Sequence, residues 1–212
     1  MRRTKEDALQ TRETLLDAAE TLFARQGVSR TSLQDIAREA GVTRGAIYWH
    51  FEDKADLFNA MMARTTLPLE NGLNALDAPD RPDPLDDLVR SALNVLQQVE
   101  HDPRTRRVFD IATMKVELVP DMEGVRRRHI EVQDNCRCHI KGCLTRAREL
   151  GHVRAELDPE SLTITWLALV NGLIHNWMLD PGRFNLREEG LRSLTLFLDG
   201  LRPTGTPPAR RP

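Results

Sequence analysis

Three Asp-Pro pairs of this 212-residue chain, Asp83-Pro84, Asp102-Pro103 and Asp158-Pro159, have the form of a helix start. An aspartate accepts hydrogen bonds from the free amides of a helix start, and proline fits the first helical position because its missing N–H has no partner there. Each pair therefore predicts the first turn of a helix. No run of the sequence alternates polar and apolar residues convincingly at a period of two, so an all-α fold is predicted.

The other helix boundaries follow from capping residues and glycines. Gly27, Gly41 and Gly151 are placed to end helices, while Pro68 is expected to disturb the helix that opens at Asp53. The sequence predicts nine helices, at about 4–26, 32–40, 43–50, 53–67, 84–99, 103–117, 122–150, 159–179 and 186–201.

One uncharged stretch, 161–179, has nearly the length of a membrane span. Lipid penalises the polar residues it contains, so we expect a helix buried in protein and no membrane contact. Those polar residues are Ser161, Thr163, Thr165, Asn171, His175 and Asn176. The first residues do not form a signal peptide, and the three cysteines show no C-x-x-C spacing. We therefore expect a cytoplasmic protein.

The chain is not a polycation, because its 30 Lys and Arg residues are balanced by 32 Asp and Glu residues. The stretch from Ala40 to Phe51 nevertheless contains no acidic residue. We therefore expect cations and acids to be separated by face, with the acid-free face available to an anionic partner.

Residues 33–50 have the spacing of a helix-turn-helix. Ala37 is small enough for two helices to cross closely, Gly41 can take the positive φ of a tight turn, and Ile47 can enter the small core. The second helix of such a unit lies in the major groove and presents its first residues to base edges. A helical hairpin that does not bind DNA can have the same spacing by chance, but this short helix also holds Tyr48 and Trp49.

The side chains of this second helix suit DNA binding. Arg44 can bridge O6 and N7 of guanine, and Gly45 lets the backbone approach closely. Tyr48 and His50 can bond to phosphates, as can the free amides of the helix starts. The residues predicted to contact DNA are Thr31, Ser32, Thr43, Arg44, Gly45, Ala46, Tyr48, Trp49, His50 and Lys54.

The stretch Thr31 to Lys54, with Gly-Val-Thr-Arg-Gly-Ala-Ile-Tyr-Trp-His-Phe and Asp53-Lys54, resembles the DNA-binding domain of TetR-family transcriptional repressors. Its Tyr-Trp-His-Phe form is similar to the AcrR and TtgR branch, whose members repress multidrug efflux operons. The resemblance implies a homodimer that binds a palindromic operator in double-stranded DNA and is released by a small hydrophobic or aromatic inducer. It also implies that the last two helices, at about 159–179 and 186–201, form the dimer interface.

This resemblance divides the chain into a helix-turn-helix DNA-binding domain (1–53) and a helical ligand-binding and dimerisation domain (54–202). The tail at 203–212 is expected to be disordered. Asn171 and His175 share a helix face and need partners, which a ligand, a backbone carbonyl or the other subunit can supply. The candidate ligand contacts are Phe109, Thr113, Met114, Cys136, His139, Asn171 and His175.

Two other functions stay open at this point. One is a TetR-type regulator of a metabolic or signalling operon with a dedicated ligand. The other is a metal or thiol sensor, because Cys136, His139 and Cys143 fall on one helical stripe. The sequence has no H-E-x-x-H, G-x-S-x-G or Gly-rich phosphate loop, so it predicts no enzyme, no cofactor and no bound metal.

Overall fold

The computed structural model describes residues 5–74, 83–116 and 123–203. Within these residues it contains nine α-helices and no β-strand, which confirms the predicted all-α fold. The helices are α1 (Lys5–Gln26), α2 (Leu33–Glu39), α3 (Arg44–His50), α4 (Lys54–Asn74), α5 (Pro84–His101), α6 (Pro103–Met114), α7 (Glu123–Glu149), α8 (Pro159–Leu179) and α9 (Leu186–Asp199). Met122 and the tail at 204–212 lie outside the described residues.

The three Asp-Pro pairs predicted to start helices do so, whereas the pair Asp180-Pro181 follows the end of α8. Asp83 accepts hydrogen bonds from the amides of Leu85 and Asp86, at 3.1 and 3.2 Å. Asp158 caps α8 in the same way, and α6 begins at Pro103.

Two helix ends differ from the sequence prediction. Helix α4 continues past Pro68 to Asn74. An interior proline removes one helical hydrogen bond and costs a helix about 3 kcal/mol, yet it does not end α4. Helix α6 stops at Met114 because the carbonyl of Lys115 instead accepts a hydrogen bond from the Val28 amide, at 3.1 Å.

Packing divides the chain into two compact units. The first comprises Met1–Pro68 and Pro103–Val132, and the second comprises Leu69–Asp102 and Gln133–Pro212. The core of the first unit holds α2 and α3 against one face of α1. Its fully buried side chains include Leu15, Leu16, Phe23, Ile36, Ile47, Leu57, Met61 and Ile111.

An acidic row on α1 faces arginines of α4 and α6 within the first unit. The carboxylate of Glu20 lies 3.1 Å from Arg107 and 3.3 Å from Arg64. Asp17, one turn earlier, lies 2.8 Å from Arg64 and 3.0 Å from Arg104. These ion pairs, together with the apolar core, hold α6 on α1.

The second unit is built around α5, α8 and α9, with Trp166 fully buried among them. Its longest contact runs between α5 and α9. Near one end of that contact, the Glu100 side chain of α5 accepts hydrogen bonds from the amides of Leu186 and Arg187, at 2.9 and 3.3 Å. A side chain of one helix thereby completes the N-terminal cap of the other.

Helix α8 contains the uncharged stretch and is long and apolar enough to cross a membrane by length and composition alone; 33% of that window is buried. Its inner side includes Leu162, Trp166 and Trp177. The expected burial in protein is therefore found on one side only. The opposite side, which includes Ile164, is left uncovered by the described part of a single chain.

Candidate DNA-binding surface

The two helices of the predicted helix-turn-helix begin at side-chain caps. At α2, the Asp35 amide donates to Oγ of Ser32 at 3.1 Å, and the Ser32 hydroxyl donates to the Asp35 carboxylate at 2.6 Å. The Ser32 hydroxyl and the Ser32 amide, which donates to the same carboxylate at 3.2 Å, hold the pKa of Asp35 below its usual value. At α3, the Ala46 amide donates to the Thr43 hydroxyl at 3.3 Å. Both helices therefore start where the sequence predicted.

The turn between α2 and α3 has the predicted geometry. Gly41 adopts a φ of +68°, and the next amide, that of Val42, donates to the Ala37 carbonyl at 2.9 Å. Ala37 and Ile47 are 2% and 0% exposed, so both pack inward as the spacing requires. The helix-turn-helix prediction is confirmed.

Helix α3 turns its polar and aromatic side chains outward. Arg44 and Gly45 are exposed, and Tyr48 and Trp49 are 50% and 73% exposed. The Arg44 guanidinium lies 5.8 Å from the centre of the Tyr48 ring. Ala46 and His50 are half-buried. Two exposed aromatic rings next to an arginine indicate a contact surface.

An open depression of about 370 Å³ lies between the starts of α2 and α3. Three cations, Arg30, Arg44 and Lys54, contribute to its walls, and none of its lining residues is acidic. This surface attracts anions because its charge is of one sign. The residues that line it are Ser29, Arg30, Thr31, Ser32, Leu33, Gln34, Arg44, Tyr48 and Lys54.

Gly45 has no packing role in the described structure. A Cβ built at this position meets no atom within 4 Å, although glycine inside a helix costs about 1 kcal/mol relative to alanine. The absent side chain instead exposes the backbone of α3 on its outer face. This exposed backbone permits a partner to approach more closely than any other residue would allow.

Besides the caps Ser32 and Thr43, two more predicted contact residues, Thr31 and Lys54, have hydrogen-bond partners inside the protein. Thr31 is 1% exposed, and its hydroxyl donates to the Gly27 carbonyl at 2.8 Å. The Lys54 ammonium donates to the carbonyls of Val28 and Ser29, at 3.0 and 3.3 Å. The side chain and the amide of Thr31 therefore hold the loop before α2, because the amide also donates to the Val28 carbonyl at 3.3 Å. Lys54 fixes the same loop while its charge stays at the depression.

Sequence reasoning missed two side chains of the same depression, Arg30 and Gln34. Both are exposed, and they flank the predicted cap Ser32. Their position next to that cap was the available signal. Capping residues and apolar spacing identify the residues that shape the helices. Arg30 and Gln34 belong to neither pattern, so sequence analysis did not select them.

The seven candidate ligand contacts are distributed over both units. Phe109 and Met114, which are half-buried, lie on α6 of the first unit. Thr113 is exposed there and donates its hydroxyl to the Phe109 carbonyl at 2.7 Å.

The other four ligand candidates belong to the second unit. Cys136 and His139 are half-buried on α7. Asn171 and His175 are exposed on α8, where they share the uncovered side of that helix.

The cysteine stripe of α7 does not form a metal centre among the described residues. No three His, Cys, Asp or Glu side chains of that part of the chain lie close enough together to hold a metal ion. Cys143 is buried and its thiol donates to the Pro84 carbonyl at 2.9 Å. The structure therefore gives the metal-sensor alternative no support.

The fold and this surface define the class of the protein as a helix-turn-helix DNA-binding regulator. The family model described as "Bacterial regulatory proteins, tetR family" matches residues 15–61. A second model, "MAATS-type transcriptional repressor, C-terminal region", matches residues 83–203. The chain belongs to the TetR family of transcriptional repressors, as the sequence resemblance implied.

Curated relatives span nearly the whole chain. The regulator TtgR of Pseudomonas putida is 38% identical over 202 residues, which cover 95% of this chain and 96% of TtgR. AcrR of Shigella flexneri is 35% identical over 206 residues, covering 93% of this chain and 92% of AcrR. Both relatives are named transcriptional regulators.

Solved structures show the same fold. NalD, described as the secondary repressor of the MexAB-OprM multidrug efflux pump in Pseudomonas aeruginosa, has a TM-score of 0.86 and 32% identity, covering 94% of this chain and 100% of the NalD chain. SmeT in complex with triclosan has a TM-score of 0.84 and 30% identity, covering 96% of this chain and 97% of the SmeT chain.

Proposed function

We propose that this protein represses a multidrug efflux operon, binds a palindromic operator as a homodimer and leaves it when a small hydrophobic or aromatic compound binds. The observation that carries the proposal is the acid-free outer face of α3 beside the cationic depression. NalD and SmeT, which share the fold over nearly the whole chain, are described as repressors of multidrug efflux pumps. The regulator acts in the cytoplasm, where its operator is accessible.

The DNA-binding domain (1–53) docks α3 in the major groove. Arg44 bonds to a base edge, preferably guanine, while the bare backbone at Gly45 lies against the DNA. Tyr48, Trp49 and His50 contact the sugar-phosphate backbone, as does Thr43 at the start of α3, while Ser32 holds the start of α2 in place through Asp35. Ala46 contacts a thymine methyl group, Thr31 holds the loop before α2 through its bond to the Gly27 carbonyl, and Lys54 supplies charge at the edge of the contact.

A second copy of the chain covers the outer side of α8 together with α9. Ile164 is 56% exposed and Leu196 is 76% exposed, an arrangement that is unfavourable in water. We place Asn171 and His175 in the same contact, because they occupy the uncovered side of α8. A two-fold interface buries these residues on both protomers at once.

Substitution of Leu196 tests this interface. Leu196→Arg should give a monomer by analytical ultracentrifugation, because the new charge has no partner in an apolar contact. Leu150→Arg is the matched control, since Leu150 is also exposed (51%) but follows α7 outside the proposed interface. A dimer that survives Leu196→Arg would exclude this part of α9 from the interface.

The inducer binds within the helical domain (54–202). The half-buried candidates of the second unit, Cys136 and His139, supply polarizable contacts, which suit a hydrophobic or aromatic compound. The triclosan complex of SmeT supports this class of ligand. Titration of triclosan into the protein bound to its upstream DNA should release the DNA. The efflux assignment would be contradicted if none of a broad panel of hydrophobic antimicrobials released the DNA.

A further inference from the structure

The DNA-facing surface extends beyond the recognition helix to Gln34 on α2 and to Arg30, which precedes that helix. Both side chains are exposed and line the same open depression as Arg44 and Tyr48. We propose that Gln34 reads a base pair of the operator and that Arg30 holds a neighbouring phosphate. This inference rests on the proposed function, since it names a second element that determines which operator is bound.

Other polar side chains of α2 and its cap are occupied by bonds inside the protein. The hydroxyl of Ser32 donates to the Asp35 carboxylate at 2.6 Å, and the Arg38 guanidinium donates to the same carboxylate at 2.6 Å. In contrast, the side chains of Gln34 and Arg30 have no bonding partner among the described residues. Their donors and acceptors are therefore available to a molecule that occupies the depression.

The chemistry of the two side chains gives them different roles. The amide of Gln34 carries an acceptor and two donors side by side, which match N6 and N7 of adenine in the major groove. The guanidinium of Arg30 pairs with a phosphate through parallel hydrogen bonds whatever the base sequence. With Arg44 suited to guanine, α2 and α3 then read different positions of one half-site.

DNA that fills the depression contacts both of its walls. Helices α2 and α3 therefore bind the same stretch of DNA. Gln34 stands on the α2 wall, and Arg44 and Tyr48 stand on the α3 wall. The position of Gln34 is fixed, since its neighbours Ile36 and Ala37 are 0% and 2% exposed in the core. A fixed backbone beneath a side chain with free hydrogen-bonding groups is what base reading requires.

Selection from a random-sequence duplex library by the full-length protein tests this inference. The selected half-site is then compared among wild type, Gln34→Ala and Gln34→Arg, with affinities measured by fluorescence anisotropy. Gln34→Ala should lose the preference for an A·T pair at one position per half-site and bind the selected site roughly 5- to 150-fold more weakly. Gln34→Arg should change the preferred pair at that position to G·C, an outcome that a structural role cannot produce.

Two further variants separate base reading from general effects. Arg30→Ala should weaken binding equally for all sequences and lower the slope of log K against log salt by about 1 per protomer. Gln98→Ala, on an exposed face of α5 in the second unit, should change neither base preference nor affinity. Thermal midpoints close to that of the wild type are expected for all these variants, because the substituted side chains are exposed.

The outcomes distinguish this inference from the proposed function. If Gln34→Ala and Gln34→Arg keep the wild-type base preferences while Arg44→Ala loses binding, base reading by α2 is wrong and the proposed function stands. If the wild-type protein selects no sequence, both are wrong.

Discussion

Gly190 on α9 leaves no room for a side chain beside Leu96 on α5: a Cβ at position 190 would lie 2.2 Å from Cδ1 of Leu96. Leu96 is itself 0% exposed, so it cannot move aside into solvent. The close approach of the two helices therefore depends on the glycine.

Gly190→Ala should destabilise the second unit by about 1–3 kcal/mol, the usual cost of overpacking a core. Gly142→Ala is the matched control, because a Cβ there meets nothing within 4 Å inside α7. It should stabilise the protein by about 0.5–1 kcal/mol. Thermal denaturation followed by circular dichroism measures both effects, and equal midpoints for the two variants would contradict the predicted contact.

Glu20→Ala should destabilise the first unit by about 1–3 kcal/mol, because the substitution removes a buried acceptor shared by arginines of α4 and α6. Glu20 is 4% exposed, whereas Asp17 in the same acidic row has a side chain that is 66% exposed. Asp17→Ala should therefore cost less, about 0–1 kcal/mol. Urea denaturation of both variants provides the comparison. A larger loss for Asp17→Ala would show that the row acts mainly through its exposed pairs.

Gly45→Ala should separate DNA binding from stability. The added methyl group meets no atom within 4 Å, so the folded protein should be more stable by about 0.5–1 kcal/mol. The same methyl group keeps the backbone of α3 away from DNA, and affinity for the upstream DNA should fall roughly tenfold, equivalent to about 1.4 kcal/mol. Anisotropy titrations and thermal melts on one preparation test both effects. Unchanged affinity would remove Gly45 from the contact surface.

The cap of α8 should contribute stability that depends on pH. The amide and hydroxyl of Ser161 donate to the Asp158 carboxylate, which lowers the pKa of Asp158 from its usual 3.8. A lowered folded-state pKa means that the stabilisation is complete above the unfolded-state pKa of about 3.9 and is lost as the pH falls through the lower folded-state value. The difference in thermal midpoint between wild type and Asp158→Ala should therefore shrink between pH 7 and pH 3. A difference that widens over this range would exclude the charged cap.

The helix starts and the helix-turn-helix could be predicted from sequence because both depend on short-range rules. Asp83-Pro84 and Asp158-Pro159 are complete caps within four residues, and Gly41 alone determines the turn. The contact between Glu20 and Arg107 joins residues 87 apart in the chain, and no periodicity of either helix reports it.

The outward face of α3 could be predicted from the sequence, whereas the hydrogen-bond partners of the candidate DNA contacts depend on the tertiary fold. Thr31 and Lys54 have residue types that suit phosphate contact, but the carbonyls of the loop between α1 and α2 occupy both side chains. Gln34 lies two residues after the cap Ser32, and only the fold shows that it lines the same depression as Arg44. The candidate inducer contacts also depend on long-range packing, so the residue types alone do not locate a pocket.

Binding of the full-length protein to a duplex from its own upstream region tests the central claim most directly. At about 0.15 M salt without inducer, the wild type should bind, and Arg44→Ala should lose at least tenfold in affinity while remaining a dimer by ultracentrifugation. An Arg44→Ala variant with wild-type affinity, or a wild-type protein that does not bind this DNA, would contradict the account.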